Sequence, residues 1–149
     1  MGKNYLDGIY AAVVSPCGED DSFLFDYYES NIRRILASGV DGLYICGGTG
    51  DAAKLGRDER EKAGEIAVSL CREYGKGAII HAGGTYQRDA IALAEHAAKI
   101  GADAVSSLPP FNHDRPQVVE YYKDLAKACA LPAPHIHPLS HELLSSGLL

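Results

Sequence analysis

Two kinds of segment alternate along this chain. Four short, almost continuously apolar runs predict buried strands, at residues 8–14, 42–46, 78–82 and 104–108. Each run is followed by a longer segment with apolar residues at helical spacing, which predicts helices at residues 24–38, 58–73, 87–100 and 114–129. Because the strands are apolar on both faces, the pattern favours a parallel sheet covered by helices and hence the α/β class.

Turn and capping residues support these boundaries. Glycines follow the first three predicted helices as C-caps, at residues 39, 75 and 101. Capping boxes are predicted for Asp58 with Glu61 and for Asp114 with Gln117. The helix-to-strand joints at residues 39–42 (GVDG) and 101–104 (GADA) repeat each other. The chain therefore reads as four successive βα units.

Two architectures fit four βα units. An open doubly wound sheet needs about 150 residues, so the 149 residues present would complete it. A (β/α)₈ barrel needs about 250 residues, so the same chain would supply only its first half. The hydrophobic pattern alone leaves both open.

The glycine-rich segment at residues 47–51 (GGTGD) follows the second predicted strand. Its backbone N–H groups can form a nest for a carboxylate or phosphate, and Thr49 adds a hydroxyl. Gly48, Gly50 and Ala53 formally fit a weak dinucleotide fingerprint, which keeps a small nucleotide-binding module as an alternative. That fingerprint should lead directly into a helix, however, and Gly56 intervenes before the predicted helix begins at Asp58. An ordinary glycine-rich turn is the remaining interpretation.

Several motifs occur in the order of one known family. They are residues 41–51 (DGLYICGGTGD), 58–60 (DER), 81–83 (HAG), 101–106 (GADAVS) and 110–111 (PF). Together they resemble the pyruvate-dependent class I aldolases, the dihydrodipicolinate synthase and N-acetylneuraminate lyase superfamily, and within it the lyase branch. The resemblance implies a TIM barrel, of which residues 1–132 supply the first four βα units as a half-barrel.

The resemblance also implies a substrate site. Two hydroxyl residues hold the pyruvate carboxylate in that family, and they correspond here to Gly48 and Thr49. Gly48 departs from the family pattern, so we expect weaker carboxylate binding. The implied reaction is reversible cleavage of a sialic acid to pyruvate and N-acetylmannosamine, without metal or organic cofactor. A dihydrodipicolinate synthase-like lyase, which also takes a keto acid, is the alternative.

The family's catalytic groups have no counterpart in this sequence. The Schiff-base lysine stands near the end of strand six and the catalytic tyrosine on strand five. The lysines of this chain lie outside the predicted strands, at residues 3, 54, 62, 76, 99, 123 and 127. No catalytic residue is therefore assigned, and we expect a truncated form with little or no activity alone. A non-catalytic fragment is the corresponding alternative.

Residues 133–149 predict an irregular tail. Pro134 and Pro138 argue against a central strand, and the histidines at 135, 137 and 141 lack the partners of a metal site. Permitted codons for residues 135–142, read one base later, encode Ile-Tyr-Ile-Pro-Ser-Leu-Thr, which resembles the missing strand-five motif. The hypothesis is that the tail is out-of-frame sequence.

Composition narrows the partners and the compartment. The formal net charge of −6 and the pI near 5.4 argue against nucleic acid or an anionic membrane as partner. Neither a membrane span nor a secretory signal is predicted. The four cysteines lack C-x-x-C spacing, so we expect buried, reduced thiols in a cytoplasmic protein. A half-barrel would expose sheet edges, which favours assembly into a homo-oligomer.

Overall fold

Five parallel strands form one sheet in the computed structural model, which describes residues 7–110, 114–129 and 136–138. The strands lie in the order in which the chain makes them. They are β1 (Tyr10–Ala12), β2 (Gly42–Ile45), β3 (Gly77–His81), β4 (Ala104–Ser107) and β5 (Ile136–Pro138). The helices between them are α1 (Phe25–Ala37), α2 (Arg57–Tyr74), α3 (Gln87–Ile100) and α4 (Arg115–Ala128). The α/β class and the four predicted βα units are confirmed.

Helix boundaries follow local capping chemistry. The predicted box of α4 is present, because Asp114 accepts the Gln117 N–H at 3.0 Å and Gln117 accepts the Asp114 N–H at 2.8 Å. The predicted box of α2 is wrong by two residues. Gly56 adopts an extended conformation as N-cap and donates its N–H to Glu59 at 2.8 Å, so α2 begins at Arg57 rather than Asp58. Because glycine has no side chain that could accept a hydrogen bond, the Glu59 carboxylate supplies the one side-chain bond of this capping box.

The segment Ile136–Pro138 corrects one prediction. It forms β5 and pairs in parallel with β4, with Val105 opposite Ile136 and Ser107 opposite Pro138. Among the described strands β5 is the outer one, so it is bonded on one side only, and this is where proline is tolerated. The expectation that prolines exclude a central strand is therefore not contradicted, whereas the prediction of an irregular tail is wrong for Ile136–Pro138. Pro134, His135 and His141 lie outside the described residues, and the boundary at residue 132 stays a prediction.

The two faces of the sheet carry different side chains. One face packs on the helices and holds Leu43, Ile45, Ala78, Ile80 and Val105, all buried. The other face bears the alternating positions, because successive side chains of a strand point to opposite sides. On it Tyr10 crosses Gly42 and Gly77, where a Cβ at either glycine would overlap the Tyr10 ring. We call this second face the inner face of the sheet.

Cysteine burial is as expected at three of four positions. Cys46, Cys71 and Cys129 are buried free thiols, whereas Cys17 is exposed, contrary to the prediction of buried thiols throughout. Cys17 lies in the loop after β1, where its thiol donates to the Ser15 carbonyl oxygen at 3.6 Å. In the described part of the chain no helix is long and apolar enough to cross a membrane.

Candidate functional site

The glycine-rich loop between β2 and α2 forms a compact series of turns at the carboxyl edge of the sheet. The Asp51 N–H donates to the Gly48 carbonyl at 3.1 Å, and the Ala52 N–H donates to the Gly47 carbonyl at 3.4 Å. Cys46 and Asp51 have φ values of 55° and 50°, the left-handed region that non-glycine residues rarely adopt. The loop is therefore held in a specific shape by its own backbone and its surroundings.

The three glycines of this loop differ in the space around them. A Cβ at Gly47 would overlap the Tyr44 ring, and one at Gly50 would lie 2.9 Å from the Val13 carbonyl oxygen. Gly48 has open space around the same position. Both predicted binding residues, Gly48 and Thr49, are exposed at the top of the turn. The predicted pair is therefore accessible, and only Gly48 has room for the missing hydroxyl.

Three polar side chains from neighbouring strands meet on the inner face. The Tyr44 hydroxyl lies 2.6 Å from the Ser106 Oγ, and the His81 Nδ1 lies 3.3 Å from the same Oγ. Tyr44 and His81 are themselves 3.4 Å apart, hydroxyl to Nδ1. The strand register brings them together, since His81 lies opposite Ser106 in the β3–β4 ladder. Tyr44 also packs on Gly47, so this cluster adjoins the glycine-rich loop.

Burial keeps this cluster uncharged. It lowers the pKa of His81 to about 4, an effect to which the nearby Arg60 charge adds. Burial likewise raises the pKa of Tyr44, against the opposing effect of its hydrogen bond with Ser106. At neutral pH the cluster therefore consists of a neutral imidazole and two hydroxyls that bond to one another and add no charge.

Arg60 lies behind the ends of β2 and β3. Its side chain rises from α2 and is 6% exposed, and its two terminal nitrogens donate to backbone carbonyls at the end of β3. Nη1 reaches the Gly83 oxygen at 2.9 Å and Nη2 reaches the His81 oxygen at 2.6 Å. Burial raises the pKa of the Cys46 thiol to about 11, and the nearby Arg60 charge acts in the opposite direction. A buried cation thus stands beside both strand ends.

The described lysines all lie outside the strands. Lys54, in the loop after β2, is 72% exposed and pairs with Asp51 at 2.7 Å. The other described lysines lie on helices or just before β3, at residues 62, 76, 99, 123 and 127. Within residues 7–110 and 114–129, no three His, Cys, Asp or Glu side chains are grouped to hold a metal ion.

The sequence located the loop but missed the polar cluster. Tyr44, His81 and Ser106 stand inside runs that are almost continuously apolar. Tyr44 and His81 are each the one side chain with a polar group in their strand, and Ser106 is one of two serines in β4. These polar groups were the available signal, because side chains of adjacent parallel strands that share a face come together. Arg60 carried a weaker signal, since its position on a helix says nothing about which way its guanidinium turns.

Comparison with known proteins agrees with this architecture. The model of the dihydrodipicolinate synthetase family matches residues 5–134. An N-acetylneuraminate lyase from Rhizobium meliloti is 37% identical over 130 residues, which are 85% of this chain and 43% of the lyase. A 4-hydroxy-tetrahydrodipicolinate synthase from a Sulfurovum species is 30% identical over 132 residues, 87% of this chain and 44% of the synthase.

Part of a solved structure has the same arrangement of βα units. YagE from Escherichia coli K12, a prophage protein of the dihydrodipicolinic acid synthase family crystallised in complex with pyruvate, superposes with a TM-score of 0.77 at 26% identity. The match covers 85% of this chain and 43% of that one, so the chain spans less than half the length of its relatives. The βα units correspond to the first half of a TIM barrel. This chain belongs to the dihydrodipicolinate synthetase family.

Proposed function

We propose that this chain is an N-acetylneuraminate lyase-like protein whose glycine-rich loop binds the carboxylate of a 2-keto acid. The observation that carries the proposal is the accessible turn at Gly48 and Thr49, which adjoins the uncharged cluster where Tyr44 packs on Gly47. Free backbone N–H groups and one hydroxyl suit a carboxylate, which accepts several hydrogen bonds. YagE, which shares the fold, was crystallised with pyruvate, a keto acid of this kind.

The neutral cluster on the inner face supports the N-acetylneuraminate lyase branch of the family. N-acetylneuraminate is a keto acid with a long hydroxyl-bearing chain, and the neutral cluster of Tyr44, His81 and Ser106 offers donors and acceptors without charge. The lyase from Rhizobium meliloti supports this choice. The synthase from Sulfurovum supports the alternative, a dihydrodipicolinate synthase-like lyase, which would use the same carboxylate loop.

Catalysis is not proposed for this chain by itself. The reaction of an aldolase of this type needs an amine that forms a Schiff base with the keto acid and so accepts the electrons of the broken C–C bond. The described lysines stand outside the strands, and Lys54 is engaged with Asp51. Incubation with N-acetylneuraminate and borohydride is expected to trap no adduct. A stoichiometric pyruvyl-lysine adduct would overturn this part of the proposal.

Self-association is the partner expected for this chain, in the cytoplasm where its free thiols stay reduced. Among the described strands β1 and β5 are each paired on one side only, and unpaired edges favour association. Sedimentation should show a dimer or larger assembly. A sharp thermal transition of a species that sediments as a monomer would count against it.

Carboxylate binding is tested by calorimetric titration with pyruvate. Thr49→Val removes the hydroxyl of the proposed site and should weaken binding about tenfold, the size of one hydrogen bond to a charged group. Thr85→Val removes the same group from the neighbouring loop after β3 and should leave the affinity unchanged. Equal affinities for the native chain and Thr49→Val would reject Thr49 as a carboxylate ligand.

A further inference from the structure

The roles proposed for the glycine-rich loop and the polar cluster do not explain why the Arg60 guanidinium is buried. A guanidinium buried to this degree is normally neutralised by a carboxylate, because removing a charge from water is costly. Here its terminal nitrogens donate to uncharged backbone carbonyls, those of His81 and Gly83, while the Cys46 thiol and the Asp89 charge also interact with it. Its Nε atom is buried and has no hydrogen-bond partner in the described part of the chain.

The contacts of Arg60 reach two loops at once. On one side it holds the carbonyls at which β3 ends and lies close to Gly84, where a Cβ would come within 3.5 Å of Nη1. On the other side it stands beside Cys46, the strained residue that leads directly into Gly47. Its own backbone is anchored in the first turn of α2, where its N–H donates to the Gly56 carbonyl at 3.1 Å. One side chain therefore connects both ends of the β2–α2 loop with the β3–α3 loop.

We propose that Arg60 is the positioning residue of the keto-acid site, fixing the β2–α2 loop and the β3–α3 loop relative to each other and adding a positive charge behind the bound carboxylate. This inference rests on the proposed function for its ligand, a 2-keto acid. The coupling of the two loops stands on the contacts of Arg60 alone. Arg60 acts through backbone groups and does not itself touch the reacting atoms.

Amide hydrogen exchange tests the coupling in the native chain. The reporters are the Asp51 and Ala52 amides, bonded within the first loop, and the Ala82 amide, bonded to the Ser106 carbonyl at 2.8 Å. In Arg60→Met both sets should exchange at least tenfold faster than in the native chain. Millimolar guanidinium ion should restore part of the protection, because it can occupy the vacated space with the same donors. Arg60→Lys, which keeps the charge but supplies one nitrogen, should lie between the two.

Arg72→Met is the matched control. Arg72 lies on the same helix and also donates to a backbone carbonyl, that of Ile100 at 3.2 Å, but on the exposed surface and away from the strand ends. Its exchange pattern at the reporter amides should equal that of the native chain. The proposal is overturned if a folded Arg60→Met or Arg60→Lys leaves the Asp51 and Ala52 amides unchanged, whether or not Ala82 responds.

Pyruvate titration separates this inference from the proposed function. If the native chain binds pyruvate, Arg60→Met should weaken binding at least tenfold and Arg60→Lys less. Equal affinity in a folded Arg60→Met contradicts the positioning role while the carboxylate site stands. No binding to the native chain contradicts the proposed function, and the exchange measurement then still decides whether Arg60 couples the loops.

Discussion

The carboxylate of Asp103 accepts the backbone N–H of Ala78 at 2.8 Å and so ties the start of β3 to the start of β4. Asp41 makes the same bond for the preceding pair of strands, accepting the Ile9 N–H at 2.8 Å beside β1. The two aspartates are the ones in the repeated joints at residues 39–42 and 101–104. The aspartate of each repeated joint therefore links the start of its strand to the strand before it.

Asp103→Ala should lower the free energy of unfolding by about 1–3 kcal/mol, because it leaves the half-buried Ala78 N–H without its acceptor. Asp103→Asn keeps an oxygen at that place and should cost less. Urea unfolding measures both. The control is Glu120→Ala, which removes an exposed carboxylate 3.6 Å from Lys123 and should change stability by less than about 0.5 kcal/mol. An Asp103→Ala chain as stable as this control would contradict the role.

Gly48→Ser should strengthen pyruvate binding, because it restores the hydroxyl expected from the family resemblance. The position has open space for a side chain and a backbone outside the left-handed region, so stability should stay within about 0.5 kcal/mol. Gly50→Ser is the contrasting variant, since its Cβ would press on the Val13 carbonyl 2.9 Å away. It should unfold at lower urea. A Gly48→Ser chain that binds no better than the native one would reject the assignment.

Acid should destabilise the fold through His81. Its pKa is about 4 in the folded chain and 6.5 ordinarily, so between these values the unfolded chain takes up a proton that the folded chain does not. Stability is therefore lost as the pH falls from about 6.5 to 4, by up to about 3 kcal/mol. His81→Gln should remove most of this loss, whereas His96→Gln should retain it. A His81→Gln chain with the native pH dependence would contradict the burial of a neutral imidazole.

The thiols should fall into two classes. Cys17 is exposed and should react with a disulfide reagent within minutes. Burial raises the pKa of Cys46 and Cys129 to about 11 and that of Cys71 to about 12, so these thiols lack both access and thiolate character. The native chain should titrate one thiol and the denatured chain four. Rapid reaction of two or more native thiols would show that the helix layer is open.

The periodicity of the sequence predicted the fold because each βα unit follows local rules. The segment 87–100 combines helical spacing with a following glycine, and α3 has the predicted bounds, Gln87–Ile100. Strand ends were harder, since residues 8–14 are uniformly apolar while β1 covers only Tyr10–Ala12. Pairing depends on the neighbouring strand, and a single run of residues does not reveal where its partner stops.

The site was predicted less completely than the fold. Thr49 could be singled out because a loop can be read from adjacent residues, and its role as a ligand stays a prediction. Tyr44, His81 and Ser106 are far apart in sequence and meet only through the register of three strands. The strand at Ile136–Pro138 was not predicted. Proline is tolerated in an outer strand but not in a central one, and a sequence does not show which place a strand takes in its sheet.

The most direct test of the proposed function is a pyruvate titration of the ¹⁵N-labelled chain, followed through its backbone amide shifts. The Gly48, Thr49 and Gly50 amides should shift together and saturate with one dissociation constant, of about millimolar size or weaker since one hydroxyl is missing. Amides at the opposite edge of the sheet, such as those of Asp41 and Gly77, should stay in place. Absence of any saturable shift in the Gly48–Gly50 turn, in a chain shown to be folded, would contradict a keto-acid carboxylate site in this loop.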